Sequence, residues 1–247
     1  MAAAPFMQIK HEAHARQALQ IAADLPNDEA MENHNPLSHR LAYCRALPGA
    51  WMASYDALID RLRTSGATCQ APSPGDVMQD FALPDVDGKL RRLSDLEADG
   101  PSVLSFNRGS WCPYCHEEID AWSEHLAELA RVGGRLIIIS PETGGRMRAL
   151  SELAGAGAVV LCDLDLGVAL RNGLAFPVGA VVRQKFCQGG LDLTEVNGTP
   201  NGFLPVPATF VLDSTRKVHF AFVDPDFTQR AQPADVLVAL SALAEGT

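Results

Sequence analysis

The chain has 247 residues, 47% of them hydrophobic and 20% charged, with a formal net charge of -10. Those values describe a packed globular chain, either one large domain or an ordinary domain with an extension, and exclude wholesale disorder. The acidic balance excludes the basic footprint of a nucleic-acid binder and any attraction to an anionic membrane surface, and is read as solubility.

No apolar run approaches the roughly 18–20 residues that cross a bilayer. The opening "MAAAPFMQIKHEAHARQ" lacks the apolar core of a secretory signal, so a cytoplasmic location is expected. Six cysteines do not make a disulfide-rich secreted scaffold. Cys44, Cys69, Cys162 and Cys187 stand alone, and only Cys112 and Cys115 are paired in sequence.

In chain order, residues 8–65 read as helices. "KHEAHARQALQIAADL" stops at Pro26, and "HRLAYCRAL" stops at Pro48. "WMASYDALIDRLRTSG" sets Trp51, Tyr55, Leu58 and Leu62 on one face. The stretch 67–76, "ATCQAPSPGD", has the composition of a linker.

"QDFAL" and "KLRRL" flank Asp87-Gly88, a hairpin signal. "SVLSFN" is a short apolar strand. Residues 112–132 follow as a helix with Ile119, Trp122, Leu126 and Leu129 on one face, ended by Gly133-Gly134. Strands "RLIIISP" and "AVVLCD" alternate with helices "RMRALSELAG" and "LGVALRNG". A hairpin, "ATFVLD" with "KVHFAFV", and a closing helix, "QPADVLVALSAL", complete the chain. This order predicts an α/β fold with a mixed sheet flanked by helices. Residues 187–205, "CQGGLDLTEVNGTPNGFLP", read as an inserted loop.

The stretch "NRGSWCPYCHEEID" carries the chemistry. Cys112 follows a strand and a loop and opens a helix, so its sulfur meets unpaired N–H groups and the positive end of the helix dipole. Both favour the thiolate. Pro113 suits the first helical turn. Cys115 follows three residues on, within reach of a disulfide if the helix start permits. Arg108 adds positive charge, whereas Glu117, Glu118 and Asp120 oppose ionisation. Trp111 shapes the substrate face or is a core aromatic.

Zinc is disfavoured because there is no second cysteine pair and the histidines are scattered. Cys112-Pro113-Tyr114-Cys115-His116 also meets the covalent haem pattern, which makes a haem- or metal-binding electron carrier a third reading. The α/β frame and the missing export signal oppose it.

Residues 74–243 resemble the peroxiredoxin-like, thioredoxin-fold proteins of the AhpC/TSA type. The resemblance rests on "PGDVMQDFALPDVDGKLRRLSDL", "VLSFNRGSWCPYCHEEI", "IIISPET", "LPVPATFVLD" and "FAFVDPDF" in that order. It implies a thioredoxin-like redox domain over 74–247, with residues 1–70 as an α-helical N-terminal extension. The apolar faces of that extension are covered by its own domain or by a second copy in a homodimer.

The resemblance further implies a thiol-dependent peroxidase that reduces hydroperoxides through a Cys112/Cys115 dithiol-disulfide cycle. Such an enzyme needs no cofactor and is reset by a thioredoxin-like or low-molecular-weight thiol. The family pattern places the attacking thiol at Cys115, with Glu118 as its acid.

Two departures stand out. Cys112 occupies the family's threonine position, and Pro207 stands where the family has an arginine. Thioredoxins instead use Cys112 logic, the more exposed thiol at the helix start, with a cis-proline facing the dithiol. The alternative is therefore a protein or small-molecule disulfide reductase with its substrate laid beside Pro207. For peroxide chemistry, Ser110, Arg108 and the helix N-terminus are left to supply the missing donors. Cys187 is a further candidate resolving thiol.

Overall fold

Residues Ser102–Phe106 are buried along their whole length, and the molecule is built around them. The structure is a computed structural model that describes residues 36–46, 52–97, 100–200 and 202–245. The helix expected over 10–25, and Trp51, lie outside the described residues.

In chain order the elements are α1 (Leu37–Ala46), α2 (Met52–Ser65), β1 (Ala82–Pro84), β2 (Leu90–Arg92), α3 (Leu93–Leu96), β3 (Ser102–Phe106), α4 (Pro113–Arg131), β4 (Arg135–Ser140), α5 (Gly145–Ala154) and β5 (Ala158–Cys162). There follow α6 (Gly167–Arg171), β6 (Ala175–Pro177), α7 (Ala180–Gln188), α8 (Leu193–Asn197), β7 (Phe203–Pro205), β8 (Ala208–Leu212), β9 (Val218–Val223) and α9 (Pro233–Glu245).

The central sheet runs β5-β4-β3-β8-β9. β3, β4 and β5 are parallel, joined by the α4 and α5 crossovers, and β8 and β9 run antiparallel. This is the expected mixed sheet of a thioredoxin-like fold.

Alternation along the strands sends side chains to two faces. Leu104, Phe106, Ile137, Ile139 and Phe210 share one face with Leu93, Leu96 and Leu174. Val103, Leu136, Ile138 and Val211 share the other with Ile119, Trp122 and Leu129 of α4, Leu150 of α5 and Leu240 of α9. Each such buried side chain contributes about 1.5–3 kcal/mol by leaving water. The face predicted for α4 is thereby placed on the sheet, and this fixes the position of its first turn.

The hairpin at Asp87-Gly88 forms as β1 and β2, with Leu83 opposite Arg91. The 67–76 stretch is tied to the sheet: Gly75 N–H donates to the Val218 carbonyl at 2.8 Å, and Met78 N–H to that of Arg216 at 2.9 Å.

Residues 187–205 are not the irregular loop expected. They hold the end of α7, then α8 and β7, and β7 pairs with β6. Asp192 caps α8 by accepting from Thr194 N–H at 2.8 Å. Phe186, Leu193 and Leu204 are buried in one cluster with Phe176, Val206 and Phe227, which orders the segment.

The two N-terminal helices bury their apolar faces within their own chain. Leu37 and Leu41 of α1 pack with Cys112, Tyr114, Cys115 and Ala121. Leu58, Ile59 and Leu62 of α2 pack with Phe176, Phe186, Leu204 and Phe227.

Candidate active site

Cys112 is the N-cap of α4, with extended backbone (φ -91°, ψ 116°), and Pro113 occupies the first turn. Cys112 thus stands at the start of the helix, as the sequence predicts. Contrary to expectation, Cys112 is not exposed. It is 1% accessible and Cys115 is 0%.

The Cys115 sulfur accepts two hydrogen bonds, one from the Arg108 backbone N–H at 3.4 Å and one from Arg230 Nη2 at 3.2 Å. Arg230 is the residue that sequence reasoning missed. No arginine precedes β8, where Pro207 stands, but the segment after β9 brings a guanidinium to the sulfur.

Arg230 is held on every side. Its Nε donates to Glu118 Oε2 at 2.5 Å, and its Nη1 donates to the carbonyls of Phe227 and Gln229. The other Glu118 oxygen accepts from Ser105 Oγ at 2.8 Å, and Thr209 Oγ1 lies 3.5 Å away. Glu118 thus fixes the arginine and does not confront the thiols directly. Burial pushes the Glu118 carboxyl up to about 7; Arg230 opposes this and charge on Cys115 adds to it.

The remaining acids of α4 face away. Arg40 of α1 pairs with Glu117 at 2.6 Å, with Asp120, and with Glu124 at 3.1 Å. Their expected effect on the thiols is thereby neutralised.

Arg108 is fully buried, and its Nε, Nη1 and Nη2 have no hydrogen-bond partner. Its guanidinium instead lies 4.3 Å from the centre of the Phe227 ring and 4.8 Å from that of Trp111. Aromatic faces stabilise such a cation where solvent is excluded. Trp111 is half-buried and meets Phe186 of α7 edge-on at 5.5 Å. It is part of this aromatic enclosure.

Two cations, Arg108 and Arg230, thus act on the dithiol, and Arg230 also holds Glu118. Burial opposes ionisation of Cys112. The hydrogen bond from Cys115 and the charges of Arg108 and Arg230 outweigh it and lower its pKa to about 6. Burial raises Cys115 well above the ordinary thiol value, and charge on Cys112 adds to this. The pair therefore loses one proton near neutrality and holds the other.

Ser110 is not available as a donor to a peroxide. Its N–H and hydroxyl both go to Glu142, at 2.7 and 3.0 Å. That contact folds the 108–111 loop against the residues that follow β4, and Gly109 (φ +130°) lets the Glu142 side chain lie where a Cβ would be.

Pro207 is buried, and the peptide bond before it is trans, like every peptide bond among the described residues. The adjacent Val206 N–H already donates to the Leu174 carbonyl at 2.6 Å. That N–H is thus not open to a disulfide-bearing substrate strand.

The haem or metal reading gains no support from these side chains. His116 is exposed while both sulfurs face inward. Among the described residues no group of three His, Cys, Asp or Glu side chains is arranged to hold a metal. Cys187 is exposed on α7, and Cys69 is exposed as well.

A profile of the AhpC/TSA family matches residues 74–221. The Mycobacterium tuberculosis protein named "Putative peroxiredoxin Rv1608c" is 28% identical over 173 residues, covering 70% of this chain and 98% of the relative. The crystal structure of peroxidoxin BcpB from Mycobacterium tuberculosis superposes with a TM-score of 0.53 at 26% identity, covering 69% of this chain and 97% of that one. A peroxiredoxin-like protein from Aquifex aeolicus gives a TM-score of 0.55 at 17% identity, over 70% and 88%, and shares the fold. The chain belongs to the AhpC/TSA family and is a peroxiredoxin-like, thiol-dependent peroxidase.

Proposed function

We propose that the protein reduces hydroperoxides through a Cys112/Cys115 cycle in which Cys115 attacks. One observation carries the assignment: the Cys115 sulfur accepts from both Arg230 Nη2 and the Arg108 N–H. The dithiol moves one proton across a single hydrogen bond, so donor geometry selects the attacking sulfur. At rest the shared anion sits on Cys112, whose pKa is lowered to about 6. When Cys112 takes the Cys115 proton, the two donors on Cys115 receive the anion and stay aimed at charge that develops as the peroxide is cleaved.

In the first step the Cys115 thiolate forms an S–O bond as the O–O bond breaks. The departing oxygen takes a proton and leaves as water or an alcohol, and Cys115 becomes a sulfenic acid. In the second step the Cys112 sulfur attacks that sulfenic sulfur. The S–S bond forms, and the hydroxyl leaves as water with the Cys112 proton. Two electrons from an external thiol pair, thioredoxin-like or of low molecular weight, then reopen the disulfide.

A reducing cytoplasm suits this chemistry and the four cysteines that stand apart from the motif. No helix among the described residues is long and apolar enough to cross a membrane.

Turnover is the test. Hydroperoxide consumption should depend on added thioredoxin-type or small-thiol reductant, and Cys112 and Cys115 should appear in one disulfide-linked peptide after a single turnover. Failure of that peptide to form, with peroxide consumed, would overturn the cycle.

A further inference from the structure

Cys115 is fully buried, so a peroxide needs a way in. A cavity of about 180 Å³ lies between α1 and the segment after β9. It is lined by Leu41, Ala42, Arg45, Thr228 and Arg230, among others. Two of these residues also belong to the surroundings of the dithiol. Arg230 donates to the Cys115 sulfur, and Leu41 packs in the cluster that holds Cys112, Tyr114 and Cys115. The cavity thus shares a fixed cation with the sulfur and an aliphatic side chain with the cluster around it.

Arg230 is clamped by Glu118 and two carbonyls. Leu41 is held by packing alone and sits on a single helix from the N-terminal segment. Neither this cavity nor another of similar volume, lined by Gln70, Phe81 and Arg171, is lined by a cysteine, but this one includes the arginine that donates to Cys115.

We propose that Leu41 is the gate between this cavity and Cys115, and that Ala42 beside it sets the width of the passage. The inference rests on the peroxidase reading above and names the substrate class of that site. The cavity compares in volume with the ~150 Å³ space that holds one benzene. It therefore admits hydrogen peroxide and compact organic hydroperoxides and turns away long-chain lipid hydroperoxides. Arg45, whose Nη1 lies 3.4 Å from Thr228 Oγ1, gives the passage a polar rim. Both α1 and Arg230 lie outside the 74–221 family match.

The test separates access from peroxide chemistry. The reduced full-length protein is alkylated with iodoacetamide, and the peptide carrying Cys112 and Cys115 is followed by mass spectrometry. Exposed Cys69 and Cys187 serve as internal references, and buried Cys162 reports unfolding. Leu41→Ala removes packing that holds the gate shut and should speed labelling of the dithiol by roughly tenfold or more. Ala42→Phe, on the exposed side of α1, should slow it several-fold while Cys69 is unchanged.

The same variants are then reacted with hydrogen peroxide and with cumene hydroperoxide. Ala42→Phe should lose rate with the bulkier substrate first. If Leu41→Ala exposes Cys162, Ala42→Phe alone decides. Unaltered dithiol labelling in a folded Ala42→Phe variant would overturn the gate. A wild type that reacts with neither peroxide faster than a free thiol would overturn the peroxidase reading, and the labelling result would still decide the gate.

Discussion

Arg230 Nη2 lies 3.2 Å from the Cys115 sulfur across 115 residues of chain, and Glu118, one helical turn from Cys115, holds the same guanidinium at 2.5 Å. A thiol, its cation and the acid that orients the cation thus form one buried unit. Its parts come from the start of α4 and from the segment that follows β9.

Arg230→Met removes the side-chain donor on the attacking sulfur and leaves Glu118 buried without its partner. The second-order rate constant with hydrogen peroxide should fall by about 10²–10³-fold, the usual effect of losing one donor to developing oxygen charge. Arg230→Lys keeps the charge but loses the fork that reaches sulfur and carboxylate together, and should fall between the two. Stopped-flow measurements on folded variants check this order. A wild-type rate in Arg230→Met would remove the arginine from the mechanism.

The pH profile follows from the shared charge. Thiolate increases as pH rises, so dithiol reactivity should climb through a midpoint near 6, the value to which Arg108, Arg230 and the neighbouring thiol bring Cys112 against the effect of burial. Removing a cation weakens the thiolate, so Arg230→Met should move that midpoint upward. Alkylation rates from pH 5 to pH 9, read on the Cys112–Cys115 peptide, measure both profiles.

The dithiol was legible in the sequence because its logic is local. A strand, a short loop, Pro113 in the first turn and the apolar period of α4 all lie within a few dozen residues. The mixed sheet was legible for the same reason. Arg230 was not, because its partner is set by how the closing segment returns to α4, and no local pattern encodes that return. Ser110 misled in the same way: it looked like a free hydroxyl, but its acceptor, Glu142, sits beyond the next strand. In 187–205 a signal was present and outweighed. Asp192 with Glu195 three residues on is a helix-start signature, and the surrounding glycines and asparagines obscured it.

Gly109→Ala tests how the loop is held. Its φ is +130°, and the Glu142 side chain comes within 2.5 Å of the place a Cβ would take, so there is no room for a methyl group. A loss of about 2–4 kcal/mol in stability is expected, with slower peroxide reaction as the Arg108 N–H shifts. Gly133→Ala is the comparison: φ is +72° there but nothing lies within 4 Å, so only the backbone cost of about 1 kcal/mol applies. Urea unfolding of the two variants separates the terms. Equal losses would mean that the Glu142 contact does not constrain the loop.

The central claim is that Cys115 attacks and Cys112 resolves. The direct measurement is rapid mixing of the reduced protein with hydrogen peroxide, followed by tryptophan fluorescence and a sulfenic-acid trap, for wild type, Cys112→Ser and Cys115→Ser. Cys115→Ser should lose the fast peroxide-dependent phase. Cys112→Ser should keep that phase, lose the slower step of disulfide formation, and accumulate trapped sulfenic acid at position 115. A fast phase that survives in Cys115→Ser and vanishes in Cys112→Ser would contradict the assignment and make the helix-capping sulfur the nucleophile.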